Sequence, residues 1–319
     1  MQQLPSLQGA QLSKTWLTIG VFDGVHLGHQ KILKDLTAAA HAHGAAAVVL
    51  SFFPHPVEVL HAPVHYFYLS SPAGKAEHIA ALGVDTLITQ PFSPALAHTP
   101  ARDFVYLLSS RLGMQQLWVG HDFALGHNRA GNIPALIEFG KEMNFTVHPV
   151  DPVRLNGEIV SSSRIRALLG EGNMDETARF LGRPYSLDGE VTGGAGRGRG
   201  LGIPTANLAL GDKRALPASG VYVTWATLGN RRWGSVTNIG VRPTFVDQPA
   251  APVVETHLLD YDGGGFYGEI LRLDFITRLR AEQKFSGVDE LLAQIHRDIA
   301  AGRLVLAARA DGWWDETLP

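Results

Sequence analysis

Short apolar runs alternate with helical patterns over the first half of the chain. The helical stretches cover about 27–43, 72–82, 100–112 and 133–142, and apolar runs lie at 16–22, 45–53, 84–90, 115–120 and 144–150. Strands that alternate with helices predict crossover connections and a parallel sheet covered on both faces. Because ligands of such sheets bind at the carboxyl ends of the strands, residues that follow each strand are candidates for chemistry.

The pattern changes after two short predicted helices at 161–181. Short β-rich runs follow at 187–192, 220–228, 232–239, 253–259 and 269–279, separated by turns rich in Gly, Pro, Asn and Asp. Several short strands in sequence predict an antiparallel barrel or sandwich. A last helix is predicted at about 286–301. We therefore predict two domains, 1–182 and 183–319, that meet near Gly182.

Composition narrows the class of protein. A chain of 319 residues with 45% hydrophobic and 18% charged residues is typical of a soluble globular protein with two domains. No apolar run approaches the roughly 20 residues of a membrane span, and the first residues do not resemble a secretory signal. The absence of cysteine excludes disulfides, thiolate zinc sites and cysteine nucleophiles. The cytoplasm is the expected location, and a net charge of −3 argues against a nucleic-acid binder.

Histidine is abundant but is not spaced for a metal site. His41 and His43 are two apart on a predicted helix, so they do not share a face. His61 and His65 are separated by Pro63, which would break the helix that aligns them. A dedicated transition-metal site is therefore not expected.

The corner between the first predicted strand and the first predicted helix, residues 19–31, combines several features of a binding site. A strand that turns through glycines into a helix offers backbone N–H groups to an anion. His26 and His29 flank the start of this helix, and Gly28 allows a ligand to approach the backbone. The H-x-G-H spacing resembles that of nucleotidyltransferases, which hold the triphosphate of ATP there. Two incidental polar residues are the alternative.

A glycine-rich run at 193–207 reads GGAGRGRGLGIPTAN. It matches neither the dinucleotide-binding nor the P-loop spacing. A flexible linker and an arginine–glycine nucleic-acid segment are alternatives, but a loop that surrounds nucleotide phosphates fits better. Thr205 and Asn207 would then supply hard oxygens of the kind that Mg²⁺ binds.

One carboxylate stands out in the later strands. Alternation places Glu255 on the same face as Val253 and His257. Such a carboxylate is usually solvated; facing the mouth of a barrel, it could be a general base for an alcohol nucleophile.

Ten segments, in order, resemble the bacterial bifunctional riboflavin kinase/FMN adenylyltransferase family, also called FAD synthetases. The similarity spans roughly 15–310. The first half carries GVFDGVHLGHQ (20–30), PHP (54–56), VGHDFALGHNRAG (119–131) and SSSRIR (161–166). The second half carries LGRPY (181–185), GRGLGIPTAN (198–207), GVY (220–222), NIGVRPTF (238–245), VETHLLD (254–260) and FYGEILRLDF (266–275).

The resemblance implies an α/β Rossmann-like nucleotidyltransferase domain followed by an all-β six-stranded antiparallel barrel with a C-terminal helix. The barrel would phosphorylate riboflavin with ATP to give FMN. Thr205 and Asn207 would help to bind Mg²⁺, and Glu255 would be the catalytic base. The residues implied in ATP or phosphate binding at this site are Gly196, Gly198, Arg199, Gly202, Pro204, Thr205 and Asn207.

In the first domain, the resemblance implies that FMN attacks ATP to give FAD and pyrophosphate. His26 and His29 match catalytic, ATP-binding histidines of the family, and Asp122, Phe123 and Pro56 match the flavin side. The residues implied in ATP or phosphate binding are Gly20, Phe22, Asp23, Gly24, His26, His29, Ser162, Ser163 and Arg166. Riboflavin, FMN and ATP would be the small-molecule partners of a monomer or weak homo-oligomer.

Three positions depart from the family pattern. Phe53 stands where an acidic residue is expected, Leu125 replaces a usual Phe, and Ser163 replaces a usual Thr. The first two departures lie at positions tied to flavin or metal binding in the adenylyltransferase site. The alternatives to a two-activity enzyme are a kinase with a weakened adenylyltransferase domain and a non-enzymatic flavin-binding protein.

Overall fold

The computed structural model describes residues 1–61, 67–193, 202–210, 213–241 and 252–309. These residues form two compact units. The first unit contains the described residues within 1–64 and 70–162, and the second contains those within 65–69 and 163–319. The predicted helices at 161–181 therefore group with the barrel, and the amide of Ala218 donates a hydrogen bond to the carbonyl of Leu169. The functional boundary near Gly182 stays a prediction.

The first unit is a parallel sheet with helices on both faces, as predicted. The strand order is β1-β4-β3-β2-β5-β8, and all five pairings are parallel. The strands of the unit are β1 Gln2–Leu4, β2 Thr15–Ile19, β3 Ala46–Phe53, β4 Thr86–Pro91, β5 Met114–Gly120, β6 Ala124–Leu125, β7 Gly131–Asn132, β8 Thr146–Val150, β9 Arg154–Leu155 and β10 Glu158–Ile159. Its helices are α1 Leu27–Ala42, α2 Pro56–Leu60, α3 Pro72–Ala80, α4 Pro94–Ala97, α5 Ala101–Leu112 and α6 Ile133–Met143, with 3₁₀ turns at Leu7–Gly9 and His127–Arg129.

Strand β3 shows why the central strands are apolar throughout. Val48 and Leu50 pack in a core that includes residues of α5 and α6, whereas Val49 packs in a core with residues of α1 and α3. Both faces of the strand are buried, so apolar residues occupy successive positions. Strand β1 was not predicted, because three residues that pair only with β4 leave no periodic pattern.

The second unit contains a closed barrel with the strand order β11-β12-β15-β14-β13-β16, in which every pairing is antiparallel. This confirms the predicted barrel. The elements of the unit are α7 Ser162–Glu171, α8 Met174–Leu181, β11 Tyr185–Thr192, β12 Ala206–Ala209, β13 Gly220–Leu228, β14 Arg231–Val241, β15 Pro252–Leu258, β16 Ile270–Arg280 and α9 Val288–Ala308.

Helix α9 continues past the predicted end at 301. It covers one outer wall of the barrel, where Leu306 packs with Val223 and Ile276. Gly302 does not stop the helix. A Cβ at Gly302 would lie 3.2 Å from Cγ2 of Val236, so this glycine allows the helix to approach the wall closely.

Candidate active sites

Three adjacent parallel strands end at one edge of the first sheet. Strands β3, β2 and β5 are neighbours, and the chain order reverses between β2 and β5. Their carboxyl ends lead into residues 20–25, 54–56 and 121–123. The sheet thus brings the predicted phosphate-binding corner, Pro56, Asp122 and Phe123 to the same edge. Ligands of open α/β sheets bind at such a reversal of strand order.

The corner after β2 has an unusual backbone. Phe22 and Val25 adopt left-handed conformations, with φ of 53° and 40°, and Gly24 has φ of 79°. A positive φ is costly for a β-branched residue such as Val25. The side chains of Phe22 and Val25 are only 2% and 0% exposed and belong to one core cluster. Their burial holds the backbone in this conformation.

Hydrogen bonds with two other segments of the chain fix the same corner. The amide of Gly24 donates to Oγ of Ser70, and the amide of Ser70 donates to Oδ1 of Asp23. Ser162 donates its hydroxyl to the carbonyl of Asp23 at 2.9 Å. The predicted residues Asp23, Gly24 and Ser162 are therefore joined in one network that shapes the corner.

A buried lysine lies beneath the corner. The Nζ atom of Lys75 donates to the carbonyl of Val21 at 3.2 Å and to Oγ of Ser51 at 2.9 Å. Lys75 is 6% exposed. Burial lowers its pKa from 10.5 to about 8, and the nearby carboxylate of Asp23 opposes that shift.

The two histidines of H-x-G-H form the start of α1. His26 is the N-cap residue, and its Nδ1 accepts a hydrogen bond from the amide of His29 at 3.3 Å. The neutral ring of His26 therefore carries its proton on Nε2. The two rings stack with centroids 3.7 Å apart. A Cβ at Gly28 would lie 3.1 Å from Cε1 of His26, so the absence of a side chain at Gly28 leaves room for the His26 ring. The N-terminus of α1 and the two imidazole rings together form a suitable binding site for a polyanion such as a triphosphate.

The residues predicted to bind the flavin differ in how far they are exposed. The Asp122 side chain is 85% exposed at the sheet edge, whereas Phe123 packs partly against the core. Leu125 is buried in that core, so its departure from the family pattern affects packing. Phe53 is 39% exposed at the end of β3, and Pro56 begins α2.

Ser163 and Arg166 belong to the second unit. Nε of Arg166 donates to the carbonyl of Phe67 at 2.8 Å, and its guanidinium lies 3.6 Å from the centroid of the Phe67 ring. The phosphate-binding roles inferred for Ser163 and Arg166 stay predictions.

Three polar residues form a row across the outer face of the barrel. Glu255 on β15 is directly opposite Asn207 on β12 and Asn238 on β14. Residues opposite one another in antiparallel strands have Cβ atoms about 4.5–5.5 Å apart and point to the same face. The alternating Val254 and Thr256 are buried. Glu255 therefore lies on the outer wall beside Asn207.

A second carboxylate reaches the same face. A Cβ at Gly240 would lie 2.3 Å from Oε1 of Glu282 and 3.3 Å from Nδ2 of Asn238. The carboxylate of Glu282 therefore lies over the backbone of Gly240. Glu282 therefore brings a second carboxylate close to Asn238, at one end of the row of polar residues.

The start of β12 is tied to β15 by a histidine. Nδ1 of His257 donates to the carbonyl of Pro204 at 2.8 Å. Thr205 follows Pro204 and is exposed, while Ile203 before it is buried. Gly202 adopts φ of 77°. The predicted phosphate-loop residues Gly196, Gly198 and Arg199 lie outside the described residues.

The sequence pattern assigns no role to Ser70, Lys75 or Glu282, and Asn238 stands in it only as the first residue of the NIGVRPTF segment. Of these residues, only Asn238 could have been found from the sequence, because the pairing of β14 with β15 places it opposite Glu255. Among the described residues, no group of three or more His, Asp or Glu side chains is arranged to hold a metal ion.

Two family models match consecutive parts of the chain. Residues 8–164 match the model described as FAD synthetase, and residues 181–306 match the model described as riboflavin kinase. The two matches follow the order of the α/β unit and the barrel.

Curated relatives align over nearly their whole length. The chain is 38% identical to the bifunctional riboflavin kinase/FMN adenylyltransferase of Pseudomonas fluorescens, over 92% of this chain and 93% of that protein. The proteins of the same description from Escherichia coli (strain K12) and Bacillus subtilis (strain 168) are 34% and 32% identical. Those two alignments cover 90% of this chain and 91% and 90% of the respective relatives.

A solved structure is also similar throughout. The crystal structure described as a macrolide-efflux protein from Streptococcus pneumoniae matches with a TM-score of 0.87 and 28% identity, over 95% of this chain and 99% of that one. In the part of the chain that the structure describes, no helix has the length and apolar character to span a membrane. The matched models and relatives place the chain in the family of bifunctional riboflavin kinase/FMN adenylyltransferases.

Proposed function

We propose that the chain makes FAD from riboflavin in two ATP-dependent steps at two separate sites. The barrel would phosphorylate the ribityl hydroxyl of riboflavin, and the corner after β2 would transfer AMP from ATP to the FMN. The observation that carries the proposal is the pairing of Glu255 with Asn207 on adjacent strands. A carboxylate and an amide on the same face of the barrel support the proposed roles of base and metal ligand.

At the kinase site, Glu255 takes the proton from the 5′-hydroxyl as its oxygen attacks the γ-phosphorus of ATP. The bond from that phosphorus to the bridging oxygen breaks, and ADP leaves. Positioning and charge neutralisation account for most of such catalysis. Thr205 and Asn207 have hydroxyl and amide oxygens of the type that Mg²⁺ prefers, so they would hold the ion with ATP. When bound, Mg²⁺ neutralises charge on the phosphate oxygens.

At the adenylyltransferase site, a phosphate oxygen of FMN attacks the α-phosphorus of ATP. Pyrophosphate leaves, and no covalent enzyme intermediate is needed because the nucleophile is already an anion. The backbone N–H groups at the start of α1 and the imidazoles of His26 and His29 stabilise the phosphate charge. The exposed Asp122, with Phe123 and Pro56, would contact the flavin.

Exchanging one residue at each site tests the proposal. Glu255→Gln removes the base and should lower FMN formation from riboflavin by about 10²- to 10⁴-fold, while FMN supplied directly is still converted to FAD. His29→Ala should lower FAD formation by about 10²- to 10³-fold and spare FMN formation. Chromatography of the flavin products, with ATP and Mg²⁺, measures both.

Glu190→Gln and His98→Ala, both exposed, are the matched controls and should leave both reactions unchanged. Equal damage to both reactions by either site variant would contradict two independent sites. Formation of FMN without FAD by the unmodified protein would favour a kinase with a weakened first domain. Tight flavin binding without ATP consumption would favour a flavin-binding protein.

The proposal includes a cytoplasmic monomer or weak homo-oligomer. The oligomeric part predicts a molar mass near 34.5 kDa in dilute solution. Light scattering coupled to size exclusion would measure it, and a stable higher mass would contradict it.

A further inference from the structure

The strand pair β12–β15 contains one side-chain contact that the proposed kinase chemistry does not use. Nδ1 of His257 lies 2.8 Å from the carbonyl oxygen of Pro204. A carbonyl only accepts, so Nδ1 carries the proton. His257 is on the same face of β15 as Glu255, two positions along. One side chain therefore connects the strand of the proposed base to the segment of the proposed metal ligands.

The contact falls at the point where the Pro204 segment enters the barrel. Regular pairing of β12 with β15 begins at Ala206, which is opposite Thr256. Thr205 lies one residue before the first paired residue and is exposed. The ladder alone therefore does not hold the peptide on the amino side of Thr205. The hydrogen bond from His257 holds that peptide from the other strand.

We propose that His257 is a positioning residue for the kinase site, which fixes the Pro204–Thr205 peptide so that the Thr205 hydroxyl is directed toward the nucleotide and its metal ion. The inference rests on the proposed kinase function. It assigns His257 no contact with substrate. The side chain acts by keeping Thr205 in register with Glu255.

The position of the donor atom gives a sharp test. In asparagine, Nδ2 is two bonds from Cβ, as Nδ1 is in histidine, whereas Nε2 of glutamine is one bond farther. His257→Asn should keep the hydrogen bond, and His257→Gln and His257→Leu should lose it. A general effect of polarity or size would treat asparagine and glutamine alike.

The first measurement uses the full-length protein without nucleotide or metal. Amide hydrogen exchange of the peptide that covers 202–207 should accelerate in His257→Leu and His257→Gln and stay at the original rate in His257→Asn. The ¹⁵N shift of the His257 ring in the unmodified protein should show the proton on Nδ1. Both observations are independent of enzyme activity.

The second measurement separates the two substrates of the kinase. Loss of one neutral hydrogen bond corresponds to about a three- to tenfold change. His257→Leu and His257→Gln should raise the KM for MgATP by that factor, with the KM for riboflavin and the conversion of FMN to FAD unchanged. His257→Asn should restore the original KM. If His257→Leu does not fold, the comparison of His257→Asn with His257→Gln still tests the positioning role of His257.

The inference is overturned if exchange and the KM for MgATP do not change in His257→Gln, or if asparagine fails as glutamine does. A rise in both KM values together with a lower unfolding midpoint would assign His257 a structural role only. These outcomes are distinct from failure of the kinase proposal, which would appear as riboflavin phosphorylation that survives Glu255→Gln.

Discussion

Replacing Lys75 by methionine should change how the stability of the first unit depends on pH. Lys75 is buried, and its ammonium donates to Val21 and Ser51 beneath the phosphate-binding corner. Burial lowers its pKa in the folded protein to about 8, against 10.5 in an unfolded chain. Between these two values the unfolded chain binds a proton that the folded protein does not bind. The free energy of unfolding therefore rises with pH in this window.

The magnitude follows from the size of the shift. Each pH unit inside the window corresponds to about 1.4 kcal/mol. From pH 7 to pH 10, Lys75 should raise the free energy of unfolding by about 2.5 kcal/mol, because the window opens only near pH 8. Lys75→Met has no such proton to release. The difference between the original protein and the variant should therefore grow by that amount in favour of the original protein.

Urea unfolding of the full chain, followed by tryptophan fluorescence at pH 7, 8, 9 and 10, measures this difference. Trp16 and Trp118 report on the first unit. Tyr222, whose pKa burial raises to about 12, titrates in both proteins and cancels. Lys34→Met, at an exposed lysine, is the matched control. A difference for Lys75→Met that stays constant within about 0.5 kcal/mol from pH 7 to 10 would refute the reasoning.

Two further substitutions test packing at the two units. Gly28→Ala should lower FAD formation about tenfold and leave FMN formation unchanged, because the new Cβ would lie 3.1 Å from the His26 ring and displace it. Alanine has a higher helix propensity than glycine, so a loss of activity would not come from a weaker helix. An unchanged rate of FAD formation would contradict this. Asp298→Ala should lower the urea midpoint of the second unit by the equivalent of about 3 kcal/mol, because Arg280 donates to both oxygens of the buried Asp298 at 2.7–3.1 Å. A change under about 1 kcal/mol would show that water replaces the carboxylate.

The sequence predicted the features that depend on local pattern. Alternation of apolar runs with helices gave the parallel sheet, and the period of two along β15 placed Glu255 on the face opposite Val254. The H-x-G-H spacing located the start of α1. Each of these follows from residues that are neighbours along the chain, so no tertiary knowledge was needed.

Other features depend on contacts between distant segments. Lys75 lies in a helix where a lysine usually faces water, and only the packing of α3 beneath the corner buries it. Phe22 and Val25 give no sign of left-handed backbone, because their conformation is imposed by a core that they help to form. Strand β12 is four residues long and follows a glycine-rich run, so it was predicted as part of a loop.

The alignment of Asn207, Glu255 and Asn238 means that the proposed kinase chemistry is specified by how three strands are hydrogen-bonded to one another. A slip of β15 by a single residue would turn Glu255 into the interior and bring Val254 or Thr256 outside. One extra residue inside β15 would abolish this alignment. For the redesign of this enzyme, the number of residues in the middle of β15 must therefore stay fixed.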